Sequence, residues 1–161
     1  MPHDDYKKPA FDPMTVETHV GTNYPAPFDE ISKTRIKRKL GDAAGLRNFG
    51  VNLVHLEPGQ GSSQRHWHTK QDEFIYILEG QATLITNAGE QTLLPGACAG
   101  FPAGIMDGHQ LINKSDTVVV YLEVGDRTSG DSGEYPDIDL RAEADPDKGY
   151  RFTRKDGTAY G

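Results

Sequence analysis

The segment that decides the fold runs Arg65-His66-Trp67-His68-Thr69-Lys70-Gln71-Asp72-Glu73 and continues through Phe74-Ile75-Tyr76-Ile77-Leu78 to Gly80. Side chains alternate along a strand with period two, so His66 and His68 share a face if this stretch is extended. Glu73 follows after a short turn. A second region, with Gly89, Pro95, Pro102, Gly104, His109 and Asn113, supplies another imidazole from a distant strand. Imidazoles joined by one carboxylate suit a first-row transition metal better than calcium or magnesium, which favour all-oxygen shells. Iron, manganese, nickel, zinc and copper all accept such a donor set, with one or two coordination positions left open.

Outward from this segment the chain reads as short strands punctuated by Gly, Pro and Asn. Strands are predicted over Thr34–Leu40, Phe49–Glu57, Arg65–His68, Glu73–Glu79, Gln81–Asn87, Glu90–Leu94, Ala97–Phe101, Gly108–Asn113 and Thr117–Val124. Phe74 to Leu78 is almost continuously apolar, the pattern of a strand buried on both faces. Asn87-Ala88-Gly89-Glu90 reads as a hairpin turn in which Gly89 takes positive φ. Helix signals are poor, with one turn at most over Asp42–Leu46, and no repeat of solenoid length is present. Many short strands at regular turn spacing imply an all-β sandwich or barrel.

Two flanking segments follow a different grammar. Residues 1–32 carry Pro2, Pro9, Pro13, Pro25 and Pro27 and read as an extended arm, lying across the barrel or reaching a partner subunit. Residues 127–161 are expected as a loop-rich extension. Within and around it, Gly125–Pro136 and Ala142–Gly149 read as surface loop, while Tyr135–Leu140 and Tyr150–Thr153 read as aromatic segments packing back onto the domain.

The 161 residues fit a single domain, 1–161, with its barrel over 33–126. No window approaches the roughly 18–20 apolar residues of a membrane span, and Met1-Pro2-His3-Asp4-Asp5-Tyr6 lacks the basic end and apolar run of a secretory signal. The one cysteine, Cys98, sits in an apolar strand and is expected as a buried, inert thiol. A soluble, cytoplasmic protein is expected, with no membrane partner. A net charge of −7 argues against nucleic acid. The basic cluster Lys33, Arg35, Lys37, Arg38 and Lys39 reads as a solvated edge strand, where lysines discourage edge-to-edge pairing.

The residues resemble the cupin superfamily, small double-stranded β-helix barrels related to jelly rolls. Pro58-Gly59-Gln60-Gly61, His66, His68, Glu73 and Gly80 match its first motif. Gly89, Pro95-Gly96, Pro102-Ala103-Gly104, His109 and Asn113 match its second. The resemblance implies that His66, His68, Glu73 and His109 bind one divalent transition metal ion in the mouth of the barrel. It also implies a tight turn at Gly80 and a turn or strand-end role for Asn113. Two departures stand out. Ile105-Met106-Asp107-Gly108 places four residues between Gly104 and His109 where two are usual, which preserves side-chain parity if the excess forms a bulge or wider turn. The interval from Gly61 to His66 is one residue short.

Around this set, Gln64, Tyr76 and Met106 are candidates to contact substrate, and Asp107 is the candidate general base. Trp67 falls between the ligands and faces away from the metal. His3, His19 and His55 have no partner at ligand spacing and are read as surface or packing residues. Two functions suit this chain: a mononuclear metalloenzyme acting on a small polar organic molecule, of dioxygenase or isomerase type, or a small-ligand binding and sensing module. A homodimer is expected, with a small molecule as the other partner.

Overall fold

The computed structural model describes residues 9–160; Pro2 and His3 of the arm lie outside them. Thirteen strands appear in chain order: β1 (Thr18–Val20), β2 (Ile36–Lys39), β3 (Phe49–Leu56), β4 (Trp67–His68), β5 (Glu73–Glu79), β6 (Ala82–Thr86), β7 (Gly89–Leu93), β8 (Cys98–Phe101), β9 (Gln110–Ile112), β10 (Val119–Asp126), β11 (Ser132–Glu134), β12 (Arg141–Asp145) and β13 (Gly149–Thr153). A short α-helical turn, α1 (Leu40–Ala43), joins β2 to β3, and 3-10 turns lie at Pro13–Thr15 and Glu30–Ser32 of the arm. All the predicted strands from residue 34 to residue 124 are present, several shorter by one to three residues and two displaced by one or two.

Six strands form one antiparallel sheet in the order β1-β2-β3-β10-β5-β8. Facing it, β7-β6-β9 forms a three-stranded sheet, and the bridges Gly61↔Ile112 and His66↔His109 carry pairing onward to the chain before β4. The barrel core lies between them and comprises Val54, Leu56, Ile75, Ile77, Ala82, Leu84, Leu111, Val119 and Tyr121. Full burial of a side chain such as Ile77 or Leu56 contributes about 1.5–3 kcal/mol.

Register explains where this core ends. Leu56 pairs with Val119, Val54 with Tyr121, Asn52 with Glu123 and Gly50 with Gly125; on the other flank, Ile77 pairs with Tyr121, Ile75 with Glu123 and Glu73 with Gly125. The inward rows of β3 and β10 therefore change from apolar to polar or glycine at Asn52 and Glu123, and that of β5 changes one pair further on, at Glu73. One half of the barrel fills with side chains, and the other half is left open as a cavity.

Gly80 makes the turn after β5 at φ 77°, and an added Cβ would stand 2.4 Å from the Val118 carbonyl oxygen. Only glycine tolerates both that dihedral and that approach. Gly89 closes the β6–β7 hairpin at φ 105°.

Several expectations are corrected. The arm contributes a strand: β1 pairs with β2, so β2 is internal to its sheet rather than an edge. The extension holds β11, β12 and β13, which join β4 in a four-stranded sheet, so the segments read as surface loop contain two of these strands. Their polar composition hid them: Ser132-Gly133-Glu134 and Arg141-Ala142-Glu143-Ala144-Asp145 carry few apolar residues to mark a strand. Tyr135, Leu140 and Ala142 form a second core with Tyr24 and Phe28 of the arm and with Phe152 and Tyr160. The aromatic segments do pack back, and they pack onto the arm. Strand β5 is buried on one face only, since Phe74, Tyr76 and Leu78 are each about 40 % exposed on the other. Cys98 is exposed as well, because it pairs with Tyr76 on that outward face. Among the described residues, no helix is long and apolar enough to cross a membrane.

Candidate metal centre

Four side chains from three parts of the chain meet where the apolar core stops. His66 and His68 come from β4 and the residue before it, Glu73 opens β5, and His109 stands opposite His66 just before β9. The Nε2 atoms of His66 and His68 are 3.1 Å apart. Glu73 reaches all three imidazoles: its Oε1 is 3.4 Å from His68 Nε2, and its Oε2 is 3.7 Å from His66 Nε2 and 2.6 Å from His109 Nε2. His66, His68 and Glu73 form the tight group, each offering one ligand atom within 4.8 Å of the others. His109 joins through its contact with Glu73.

This donor set fits a metal ion. Bonds of about 2.1 Å at right angles place neighbouring donor atoms about 3 Å apart, close to the spacings found here. The rings are also held in suitable tautomers. His66 Nδ1 lies 2.8 Å from the Gln64 carbonyl oxygen, which only accepts, so Nδ1 carries the proton and the Nε2 lone pair faces the cluster. Burial pushes the His66 pKa down to about 4, keeping it neutral as a ligand must be. Burial opposes charge on His68 too, but hydrogen bonds to the Asp131 and Glu73 carboxylates outweigh it and raise its pKa to about 10. Burial works against ionisation of Glu73, and the imidazoles of His109 and His68 overcome it, holding the carboxyl well below its usual range. The cluster is thus an anionic carboxylate surrounded by imidazoles, ready to exchange protons for a cation.

Rings stacked on the imidazoles fix their planes. Phe101 lies parallel to His109, with centroids 3.7 Å apart, and Tyr135 stacks on His66 at 5.5 Å. The four residues 105–108 form an outward loop, with Ile105 and Met106 exposed. Arg65 holds that loop in place, donating to the Gly108 carbonyl at 3.1 Å and, in a fork, to Asp137 at 2.7 and 2.9 Å. His109 therefore keeps its inward pose despite the longer loop.

The other candidates lie elsewhere. Tyr76 is one residue out of phase with Ile75 and Ile77 and points away from the cavity. Met106 is 73 % exposed at the loop tip. Asp107 accepts a hydrogen bond from the Asn87 backbone at 2.7 Å and does not line the cavity. The Gln64 side chain donates to the Phe28 carbonyl, so its part in the site is through its own backbone oxygen. Asn113 is fully buried and donates to the Leu56 and Thr117 carbonyls, a strand-end role. His19, read as a surface or packing residue, is exposed on β1 and also lines the cavity.

The cavity above the cluster measures about 830 Å³. Arg35, Lys37 and Lys39 line it from β2 and the residue preceding it, together with Asn52, Tyr121 and Glu123. The basic cluster is a wall of the cavity as well as a solvated surface, because alternate residues of β2 face inward. Lys37 Nζ is 2.8 Å from Glu123 Oε2. The Tyr121 hydroxyl is buried with no hydrogen-bond partner. Asn52, Tyr121 and Glu123 escaped the sequence reading, although each occupies an inward position of its strand once Val54 and Ile77 fix the parity.

Comparison with known proteins agrees with the architecture. The family model for the cupin domain matches residues 52–125. A structure from Silicibacter pomeroyi DSS-3, described as a sugar phosphate isomerase from a cupin superfamily, is 43 % identical with a TM-score of 0.90 over 95 % of this chain and 97 % of that one. The chain belongs to the cupin superfamily. A second cupin-like structure, from Acidithiobacillus ferrooxidans ATCC 23270 and provisionally named a sugar phosphate isomerase, is 29 % identical with a TM-score of 0.70, covering 80 % of this cupin and 81 % of its own chain. A polyketide cyclase from Streptomyces resistomycificus shares the fold at 19 % identity and a TM-score of 0.59, covering 73 % of this chain and 78 % of its own. Among curated proteins, none matches this sequence.

Proposed function

We propose that this cupin is a metal-dependent isomerase of a phosphorylated sugar, with His66, His68, Glu73 and His109 as the metal ligands. The observation that carries the reading is a donor cluster at the bottom of a cavity whose wall bears Arg35, Lys37 and Lys39. A sugar phosphate has two chemically distinct ends, hydroxyl and carbonyl oxygens on one and a dianion on the other. The cluster suits the first and the cationic wall suits the second. A bound divalent ion supplies a Lewis acid for a carbonyl or hydroxyl oxygen. The chain's own residues hold the sugar against it: Asn52 and Tyr121 offer polar atoms along the wall, and Phe101 closes one side. The description of the Silicibacter pomeroyi relative as a sugar phosphate isomerase supports this substrate class.

The arm, barrel and extension act as one domain in this reading, because the second core ties both ends of the chain together. The outward apolar face of β5 supports a homodimer formed through the large sheet.

The test is direct. Apoprotein is loaded in turn with iron(II), manganese, nickel, zinc and copper and offered a panel of aldose and ketose phosphates, with interconversion followed by NMR. Turnover of a phosphorylated sugar and not of its unphosphorylated parent is expected. No interconversion with any loaded form overturns the isomerase reading.

A further inference from the structure

We infer that Asp131 is the positioning residue that makes His68 a metal ligand, and that the C-terminal extension is thereby a working part of the metal centre. The inference rests on the assignment of the metal ligands above, not on the isomerase reaction.

Asp131 lies just before β11, outside the stretch matched by the cupin family model. Its side chain is fully buried, and its Oδ2 stands 2.6 Å from His68 Nδ1. Every other contact of this carboxylate is a donor from close by. Oδ2 also accepts from the Tyr150 hydroxyl at 3.0 Å. Oδ1 accepts from the backbone of Lys70 at 2.8 Å and of Gln71 at 3.2 Å, and from the Thr69 hydroxyl at 3.4 Å. A buried carboxylate is costly unless its oxygens are saturated in this way. Because it only accepts, His68 Nδ1 must donate, and Nε2 is the atom left to face His66 and Glu73.

The three imidazoles are oriented by different means. His66 is fixed by the Gln64 carbonyl from within the barrel, and His109 by stacking on Phe101. His68 is the one whose ring nitrogen is hydrogen-bonded by a side chain of the extension. The same strand also holds its backbone, since Gly133 pairs with His68 and Glu134 with Trp67. Tyr135, next along, stacks on His66. One strand from beyond the barrel thus positions two ligands.

The substitution Asp131→Asn gives a sharp test because the geometry dictates which way the amide turns. Three donors converge on Oδ1, so the amide oxygen must take that position and the NH2 group must face His68. Nδ1 then becomes the acceptor, the proton moves to Nε2, and the lone pair needed for a metal is lost. Zinc affinity is measured by chelator competition on the full chain, with the apoprotein melting curve recorded alongside. A loss of about 10–100-fold is expected in Asp131→Asn. The same substitution made in a His68→Ala background is expected to cost nothing further.

Unchanged zinc affinity in folded Asp131→Asn, or an equal additional loss in the His68→Ala background, overturns the inference while leaving the ligand assignment standing. Absence of zinc binding by the wild-type protein overturns both. A second readout needs no variant: in zinc-loaded protein carrying 15N-labelled histidine, Nδ1 of His68 carries the proton and Nε2 the metal. Zinc on Nδ1 overturns the inference whether or not the variant folds.

Discussion

His66 and His109 face each other across a two-hydrogen-bond bridge, with His66 N donating to the His109 carbonyl at 3.2 Å and His109 N donating to the His66 carbonyl at 2.9 Å. Two backbones 43 residues apart in sequence are thus locked at the point where both side chains enter the cluster. Because the bridge is made by backbone atoms, shortening both side chains leaves it in place. His66→Ala combined with His109→Ala is expected to abolish metal binding while the fold persists. Metal analysis of the purified variant checks this, with circular dichroism as the control for folding. An unchanged metal stoichiometry would falsify the ligand assignment.

Gly80 sits where a Cβ would collide with the Val118 carbonyl in a left-handed backbone conformation. Gly80→Ala is expected to destabilise the protein by about 2 kcal/mol or more, lowering the melting temperature by roughly 4 °C or more. Gly149→Ala, at a similar φ of 78° but facing open space, isolates the dihedral cost alone and should be milder. Equal losses in the two thermal melts would show that the close approach carries no weight.

Glu123 gives the acid limb of stability a specific origin. Burial opposes its ionisation, but the Lys37 ammonium outweighs that and holds the carboxyl below its ordinary value. A depressed native pKa contributes stability in full above the unfolded value of about 4.3 and loses it as pH falls through the native value. Wild type should therefore exceed Glu123→Gln in stability at neutral pH, and the gap should close below about pH 4. Denaturant titrations across that range check the sign; a gap that stays constant with pH would remove Glu123 from the acid limb.

The outward face of β5 bears Phe74, Tyr76 and Leu78, with Leu122 and Val124 beside them on β10. A contiguous apolar patch of this kind is uncommon on a monomer. The protein is expected to sediment as a dimer at micromolar concentration, and Tyr76→Glu is expected to sediment as a folded monomer. A monomeric wild type would sink the dimer.

Much of this architecture is legible in the chain. The run from Phe74 to Leu78 hides that only Ile75 and Ile77 are buried, but the glycine at the end of β5 and the hairpin at Gly89 are local rules, and local rules survive without knowledge of the partner strand. The same holds for His66 and His68, whose spacing puts both rings on one face of any extended segment. Tyr76 shows where the reading slipped: its parity with respect to Glu73 already excluded it from the cavity. Asp131 is a different matter. It lies in a polar, glycine-rich stretch with no periodicity, and its role exists only because β11 returns to pair with β4.

The sequence by itself determined a barrel or sandwich of short strands and the shared face of His66 and His68, because periodicity and turn chemistry act between neighbours. That Glu73 and His109 would join them was implied by the resemblance to cupins. Only the tertiary structure decided that β1 would cover β2, that Arg35 and Lys37 would face the cavity, and that Asp131 would meet His68. Those contacts join residues far apart in the chain, such as Thr69 with Asp131, 62 positions away. Their energy comes from burying and pairing groups that have no reason to interact until the sheets close around them.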